Sequence, residues 1–215
     1  TSADSGDAFL NGNSIKTEAN KVKSIIAVSP QETAVAPNLT VRENLELICG
    51  VHGFTKAKKH AKIAELTQQL GLDVVMKKKA AKLSGGWQRR LSIAMALISE
   101  PEILFLDEPT LGIDVISRAE LWELIESLKG EMTIVLTTHY MEEAALADVI
   151  LHVCDASGAE FADELRITDN LLTELGASGK PVLLVFNKCD LIADREQKML
   201  LQRIADQNGC EAVFI

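Results

Sequence analysis

The stretch from Leu83 to Asp114 constrains the fold more than any other part of the chain, because a helix-opening turn and a buried strand follow each other in it. The turn is Leu83-Ser84-Gly85-Gly86. Its small residues leave backbone N–H groups bare, and a helix N-terminus carries partial positive charge, so the turn suits an anion such as a phosphate. A serine before a helix is also a common N-cap, and this purely structural interpretation stays open.

The strand of this stretch is predicted over 103–106, where four apolar residues precede two adjacent carboxylates, Asp107 and Glu108. In an open α/β sheet, ligands bind at the carboxyl ends of the strands. A carboxylate there can hold Mg²⁺, directly or through water, and its neighbour can orient a water molecule. Adjacent carboxylates also occur at ordinary solvated strand ends, so the chemical interpretation depends on the nearby turn.

Together, the turn and the strand resemble the signature motif and the Walker B strand of the ATP-binding cassette (ABC) ATPases, with Trp87 where the commonest family pattern has Gln. The resemblance implies ATP hydrolysis that drives a transporter. It implies that Asp107 holds Mg²⁺ through water and that Glu108 is the general base or water-orienting group. It further implies that the signature residues contact ATP held by the Walker A motif of a partner subunit. These residues are Ser84, Gly85, Gly86 and Gln88.

Three more positions match ABC motifs. Gln31 follows an apolar segment and resembles the Q-loop glutamine, which touches the metal and the attacking water. Residues 112–114 resemble the D-loop, which crosses the dimer interface, and Asp114 also fits as the cap of a helix running to Lys129. His139 follows a predicted strand and resembles the switch histidine, which contacts the γ-phosphate. A loop glutamine or a lone histidine at a strand end is commonly only structural.

A helical subdomain is predicted between about 34 and 98. Thr40 begins a helix, and Glu43 three residues later completes a capping box. A second amphipathic helix is predicted over 57–70. In ABC transporters this subdomain docks on the membrane-spanning partner, and the sequence THYMEEA at 138–144 is typical of exporters of the ABC-2 type.

Residues 148–215 carry a different resemblance. A predicted strand over 182–186 leads into Asn-Lys-Cys-Asp, the NKxD pattern with which P-loop GTPases read guanine. In that family Asp190 would accept from the base, the Lys188 stem would lie over it, and Asn187 would brace the loop. The pattern alone is short, but its flanking strands make the segment similar to the HflX family of ribosome-associated GTPases. This resemblance implies GTP as a ligand and the ribosome as a partner.

The pattern GxxxxGK[ST] of a Walker A motif occurs nowhere in the sequence, and the only Gly-Lys, Gly179-Lys180, is followed by Pro181. The chain therefore resembles a partial ABC ATPase over 1–147 joined to a partial GTPase-like segment over 148–215, and both ends look cut. Three functions stay open: an ABC ATP-binding subunit, an HflX-like GTP-binding protein and a chimeric scaffold without turnover. For the isolated chain, the missing motif favours inactivity.

The composition is that of an ordinary globular protein, with 47% apolar and 25% charged residues. A net charge of −9 argues against nucleic acid as a partner through bulk charge. No apolar run approaches about 18 residues, so no membrane-spanning segment is predicted. The ABC resemblance implies ATP and Mg²⁺ as cofactors and, as partners, a membrane permease and a second ABC ATPase subunit. It also implies a cytoplasmic position, peripheral on the inner face of the membrane.

The whole sequence predicts an α/β fold of the P-loop NTPase type, with a mostly parallel sheet flanked by helices, a helical insertion and no Walker A strand. The C-terminal strands are expected to complete the same sheet. The expected strand order is 24–28, 102–106, 133–137, 149–154, 182–186 and 212–215. Direct pairing of 133–137 with 149–154 is expected. A gap in the sheet at the place of the missing Walker A strand would leave unpaired backbone groups, which cost about 1–3 kcal/mol each when buried.

Overall fold

The chain folds as two compact units, which divide between Thr137 and Thr138. The computed structural model describes residues 6–158, 161–192, 199, 201–203, 205–206 and 210–215. The boundary predicted from the change in resemblance, at 147, therefore lies inside the second unit.

The first unit begins with an antiparallel hairpin and a short helix, followed by a three-stranded parallel sheet. These elements are β1 (Phe9–Leu10), β2 (Asn13–Ser14), α1 (Ala19–Ile25), β3 (Ile26–Ser29), β4 (Ile103–Asp107) and β5 (Thr133–Thr137). The order β3-β4-β5 confirms the predicted order of the first three strands and places β4 in the centre. The strand β3 begins later than predicted, because Ser24 and Ile25 complete the last turn of α1.

Three helices between β3 and β4 form the predicted helical insertion, α2 (Val41–Val51), α3 (Lys56–Gln69) and α4 (Gly85–Leu97). The capping box of α2 is confirmed, because the Thr40 side chain accepts from the Glu43 amide and the Glu43 carboxylate accepts from the Thr40 amide. Asn44 is fully buried, and its side chain accepts from the Ala36 backbone N–H at 2.7 Å. The segment between β3 and α2 is thereby fixed to α2.

One apolar core joins the insertion to the sheet and to α5 (Val115–Leu128), the helix between β4 and β5. Fully buried leucines from α2, α3, α4, β4 and α5 meet in it: Leu45, Leu66, Leu91, Leu104 and Leu121. Each buried leucine side chain contributes about 1.5–3 kcal/mol relative to exposure. This packing holds α4 in place beside β3 and β4.

The second unit is a smaller parallel α/β arrangement. Its elements are α6 (Met141–Ala144), β6 (Ile150–Asp155), α7 (Phe161–Glu174), β7 (Val182–Asn187) and β8 (Glu211–Phe214). In its core the Phe186 and Phe214 rings stack with their centroids 5.2 Å apart. The sequence predicts one more helix over 192–207, and most of that range lies outside the described residues.

The expectation of one continuous sheet is not met by the described strands, which form two separate three-stranded ladders, β3-β4-β5 and β6-β7-β8. The expected pairing of 133–137 with 149–154 belongs to neither ladder. The strand β5 makes its ladder hydrogen bonds with β4, and β6 makes its own with β7.

The secondary structure confirms the predicted α/β class, with parallel strands and intervening helices. Among the residues that the structure describes, no helix has the length and apolar character that crossing a membrane requires.

Candidate functional site

The signature turn opens α4 without using its serine as a side-chain cap. Ser84 takes the N-cap position with φ −66° and ψ 162°, and its side chain makes no cap hydrogen bond within the described structure. Its carbonyl accepts from the Gln88 amide at 3.0 Å. Ser84 and Gly85 are both exposed. The purely structural interpretation of this serine is therefore not supported, and the turn presents a hydroxyl and helix-terminal amides to solvent.

Gly86 lies at a close approach between α4 and α5. A Cβ atom at this position would lie 2.8 Å from Ser117 Cβ and 3.0 Å from Ser117 Oγ. Gly85 is different, because a Cβ there would meet only the Gly112 carbonyl at 3.9 Å. Glycine is thus required at 86 for packing, whereas glycine at 85 is not.

The two residues after the glycines brace the turn. The Gln88 side-chain amide donates to the carbonyls of Ala80 and Leu83, both at 3.2 Å. The Arg90 guanidinium lies 5.2 Å from the centre of the Trp87 ring. The Gln88 amide thus holds the backbone that enters α4, and its nucleotide contact stays a prediction.

The carboxyl end of β4 presents the two predicted acidic residues in different surroundings. Asp107 is exposed, whereas Glu108 is 7% exposed. The Thr137 hydroxyl joins them, since it donates to Asp107 Oδ1 at 2.6 Å and accepts from the Glu108 amide at 3.1 Å. Thr137 comes from the neighbouring strand β5, and sequence patterns did not single it out.

Glu108 has a positive φ of 45°, which is uncommon for a residue other than glycine. Its backbone is held on both sides: the amide donates to the Thr137 carbonyl at 3.2 Å, and the carbonyl accepts from the Leu111 amide at 3.2 Å. Backbone strain of this kind costs about 1–3 kcal/mol and is concentrated at functional sites. The fold thus holds Glu108 in one strained conformation next to Asp107.

Arg89 is a site residue that the sequence analysis missed. It is 4% exposed and donates from α4 to the carbonyls of Pro30 and Gln31, each at 2.6 Å, and to the Glu108 carbonyl at 3.4 Å. Burial lowers the pKa of the guanidinium, and the negative charge of Asp107 acts in the opposite direction. A signal existed: α4 is apolar on most sides, so a charged residue within it requires buried partners.

The structure brings Gln31, the signature helix and the β4 terminus together through Arg89.

No group of three or more His, Cys, Asp or Glu that could hold a metal exists among the described residues. Mg²⁺ is usually bound through one or two carboxylates, with water and substrate phosphates completing its shell. An exposed Asp107 with one oxygen bonded to Thr137 fits such a metal, and an all-protein cage is not required.

Asp114 is the N-cap of α5, as predicted, and its side chain accepts from the Ser117 amide at 3.0 Å. This hydrogen bond lowers the pKa of the Asp114 carboxyl.

His139 is exposed and belongs to the second unit, two positions after the end of β5.

The NKxD residues begin at Asn187, the last residue of β7 in the second unit. Asn187 Oδ1 accepts from the adjacent Lys188 amide at 2.8 Å. Lys188 has a positive φ of 63°, and its ammonium donates to Asp155 Oδ2 at 2.5 Å. Asp190 is exposed in the short turn that follows.

The Asp155 carboxyl should titrate far below its usual range. The hydrogen bond from Lys188 and two further bonds from Ser157 lower the pKa of Asp155 to about 2 from an ordinary 3.8. Because the folded pKa is depressed, its stabilisation is present above the ordinary pKa and is lost as the pH falls towards about 2. A carboxyl ¹³C titration should show this value in the wild type and a partial return towards 3.8 in Lys188→Met. An ordinary pKa in the wild type would contradict the ion pair.

The fold and site define a parallel α/β protein with a phosphate-suited turn and a strand-end carboxylate pair, and comparison with known proteins identifies its family. The ABC transporter family profile matches residues 1–111. Daunorubicin resistance ATP-binding protein DrrA3 from Streptomyces coeruleorubidus is 36% identical over 95% of this chain and 67% of that protein. Linearmycin resistance ATP-binding protein LnrL from Bacillus subtilis (strain 168) is 38% identical over 72% of this chain and 48% of that protein.

A solved structure, cbiO1 from Clostridium perfringens, part of the ABC transporter complex cbiONQ, shares the fold with a TM-score of 0.60 at 22% identity. The match covers 66% of this chain and 59% of that one. The chain belongs to the ABC transporter family. It spans two thirds of DrrA3 and about half of LnrL, at 67% and 48% of their lengths.

Proposed function

We propose that the chain acts as the ATP-binding subunit of an ABC exporter and couples ATP hydrolysis to transport. The observation that carries this proposal is the buried Arg89 connection, which holds the Q-loop and the Glu108 carbonyl against the helix of the signature turn. The similarity to DrrA3 and LnrL, which are named as daunorubicin and linearmycin resistance ATP-binding proteins, supports an exporter.

In this proposal the residues act in distinct roles around MgATP. Asp107 and the Gln31 side chain would hold Mg²⁺, which supplies charge neutralisation for the phosphates. Glu108 would orient the attacking water, and its fixed backbone would hold its side chain in place for this role. His139 would contact the γ-phosphate. These assignments follow the family resemblance and stay proposals for this chain.

The signature turn would act on ATP held by a second subunit. Ser84, Gly85 and Gly86 would contact its phosphates, and Asp114 would lie at the subunit interface. The helical insertion would dock on a membrane permease, which implies a peripheral position on the cytoplasmic face. In the family the signature turn of one subunit completes the ATP site of the other, and no Walker A pattern occurs in this sequence.

The isolated chain should show ATP hydrolysis indistinguishable from buffer. The Walker A lysine and its loop amides supply most of the charge stabilisation in this class of enzyme, and Asp107 and Glu108 alone face the triphosphate with like charge. The measurement is phosphate release at millimolar MgATP, with Glu108→Gln as the matched control. Robust turnover that Glu108→Gln abolishes would show that the chain holds and hydrolyses ATP by itself.

A second candidate function is guanine-nucleotide binding by the C-terminal segment, as a partial HflX-like domain in a chimeric chain. The braced Asn187 and the Lys188–Asp155 ion pair favour it. The DrrA3 match weighs against it, because similarity over 95% of the chain is not confined to 1–147.

Equilibrium binding of labelled GTP and ATP distinguishes the candidate functions. GTP binding that is lost in Asp190→Ala supports guanine-nucleotide binding by the C-terminal segment, and ATP-only binding supports the ABC ATPase. Binding of neither supports a scaffold, and ribosome binding is expected only with GTP.

A further inference from the structure

We propose that Arg89 is the positioning residue that makes the Q-loop and the signature helix move as one body. The proposal rests on the proposed function, because it assigns a role to the connection between the Gln31 side of the site and the turn at Ser84. Arg89 touches neither nucleotide nor metal in this account. It acts through the backbone groups that it holds.

Three chain segments meet at the Arg89 guanidinium. One nitrogen donates to the Pro30 carbonyl, and another donates to the carbonyls of Gln31 and Glu108. These carbonyls belong to the Q-loop and to the end of β4, and the arginine belongs to α4. A planar guanidinium with a fixed fork of donors can bond several acceptors at once, which a lysine ammonium on a flexible stem does not reproduce.

A second buried contact supports the same connection. The Ser92 hydroxyl lies 3.0 Å from the hydroxyl of Ser29, the last residue of β3. Ser92 follows Arg89 by three positions, so both side chains lie on the same face of α4. Because Ser29, Pro30 and Gln31 are consecutive, α4 holds both the end of β3 and the start of the Q-loop.

The connection is short and rigid. Arg89 is five positions after Ser84 on one helix, which at 1.5 Å per residue is roughly 7.5 Å along the axis. A displacement of the Gln31 backbone would therefore pull on α4 and shift the turn at its beginning. A displacement at the metal-binding part of this subunit's site would in this way be transmitted to the signature turn, which contacts the ATP of the partner subunit.

Adjacent arginines provide a matched control. Arg90 is also on α4, but it donates to the Leu70 carbonyl at 3.3 Å and pairs with Glu120 at 2.8 Å. It therefore connects α4 to the C-terminal end of α3 and to α5, and its described partners do not include the Q-loop. Arg89→Gln and Arg89→Lys are the test variants, and Arg90→Gln is the control.

Hydrogen–deuterium exchange of the nucleotide-free chain tests the connection directly. In Arg89→Gln the flanking amides that donate hydrogen bonds, those of Ala36 and Leu111, should exchange about tenfold faster, because the charge-assisted hydrogen bonds that hold the carbonyls of Pro30, Gln31 and Glu108 are lost. Arg89→Lys should recover only part of the protection, and Arg90→Gln should leave the exchange of both amides within about twofold of wild type. Circular dichroism must show the same helical content in all variants. Unchanged protection in Arg89→Gln, or full recovery in Arg89→Lys, would overturn the proposal.

A second readout separates this proposal from the proposed function. The ATP concentration that half-saturates association with a complete ABC ATPase subunit should rise in Arg89→Gln, and it should rise by more than in Arg90→Gln. Equal ATP dependence of Arg89→Gln and wild type would overturn the coupling. Absence of association for the wild type itself would instead count against the proposed function, and the exchange measurement alone would then decide the role of Arg89.

Discussion

Replacing Leu104 with alanine is expected to lower the free energy of unfolding of the first unit by about 2–5 kcal/mol. Leu104 is fully buried on β4, where it pairs with Ala27 and Ile134 of the neighbouring strands. Alanine would remove buried apolar surface and leave a cavity that the close-packed surroundings fill only in part. Since β4 ends at the acidic pair, the cavity would also loosen the strand that positions Asp107.

Urea unfolding followed by tryptophan fluorescence is a suitable measurement for Leu104→Ala. The chain has two tryptophans, Trp87 and Trp122, and both lie in the first unit, so the signal reports that unit alone. Leu111→Ala is the control, because Leu111 is 41% exposed and its loss should change stability by less than about 0.5 kcal/mol. Equal effects of the two substitutions would show that β4 is not central to the core.

Gly86→Ala should destabilise the same unit by about 1–3 kcal/mol, the usual cost of adding a methyl group to a close-packed contact. The new Cβ would lie 2.8 Å from Ser117 Cβ, which forces α4 and α5 apart. Because Gly86 belongs to the signature turn, this displacement should also weaken ATP-dependent association with a partner subunit. The stability measurement is again urea unfolding by tryptophan fluorescence.

A double-mutant cycle identifies the cause of the Gly86 effect. Ser117→Gly removes the opposing Cβ, so the double variant should be more stable than the sum of the two single changes predicts. Gly85→Ala is the neighbouring control and should be neutral, since its Cβ would meet only ordinary contact distances. Strict additivity of Gly86→Ala and Ser117→Gly would mean that the clash is not the reason.

Elements with local signals were predictable from the sequence. The capping box of Thr40 and Glu43, the Asp114 cap and the strand before Asp107 each depend on residues close together in the chain, and the structure has all three. Local hydrogen bonding and apolar patterning decide such elements, so one sequence contains the necessary information.

Features that depend on distant residues were not predictable in the same way. The Arg89 contacts join positions 58 and 59 residues apart, and the Gly86–Ser117 approach depends on how two helices pack. The division into two ladders was missed because pairing between strands has no local signal. The positions of the Asp107 side chain and the Glu108 backbone likewise depend on hydrogen bonds to Thr137, which belongs to another strand.

Complementation in trans tests whether this chain presents a working signature turn to ATP held by a partner subunit. The chain is mixed with a complete ABC ATPase subunit whose own signature serine is disabled, and association is measured by analytical ultracentrifugation with and without MgATP. We expect an ATP-dependent heterodimer with the wild-type chain and its loss with Ser84→Arg. Ser127→Arg, a change in α5 away from the turn, serves as the charge-matched control. Absence of any heterodimer at millimolar MgATP, or equal association of Ser84→Arg and wild type, would show that the turn does not bind ATP on a partner.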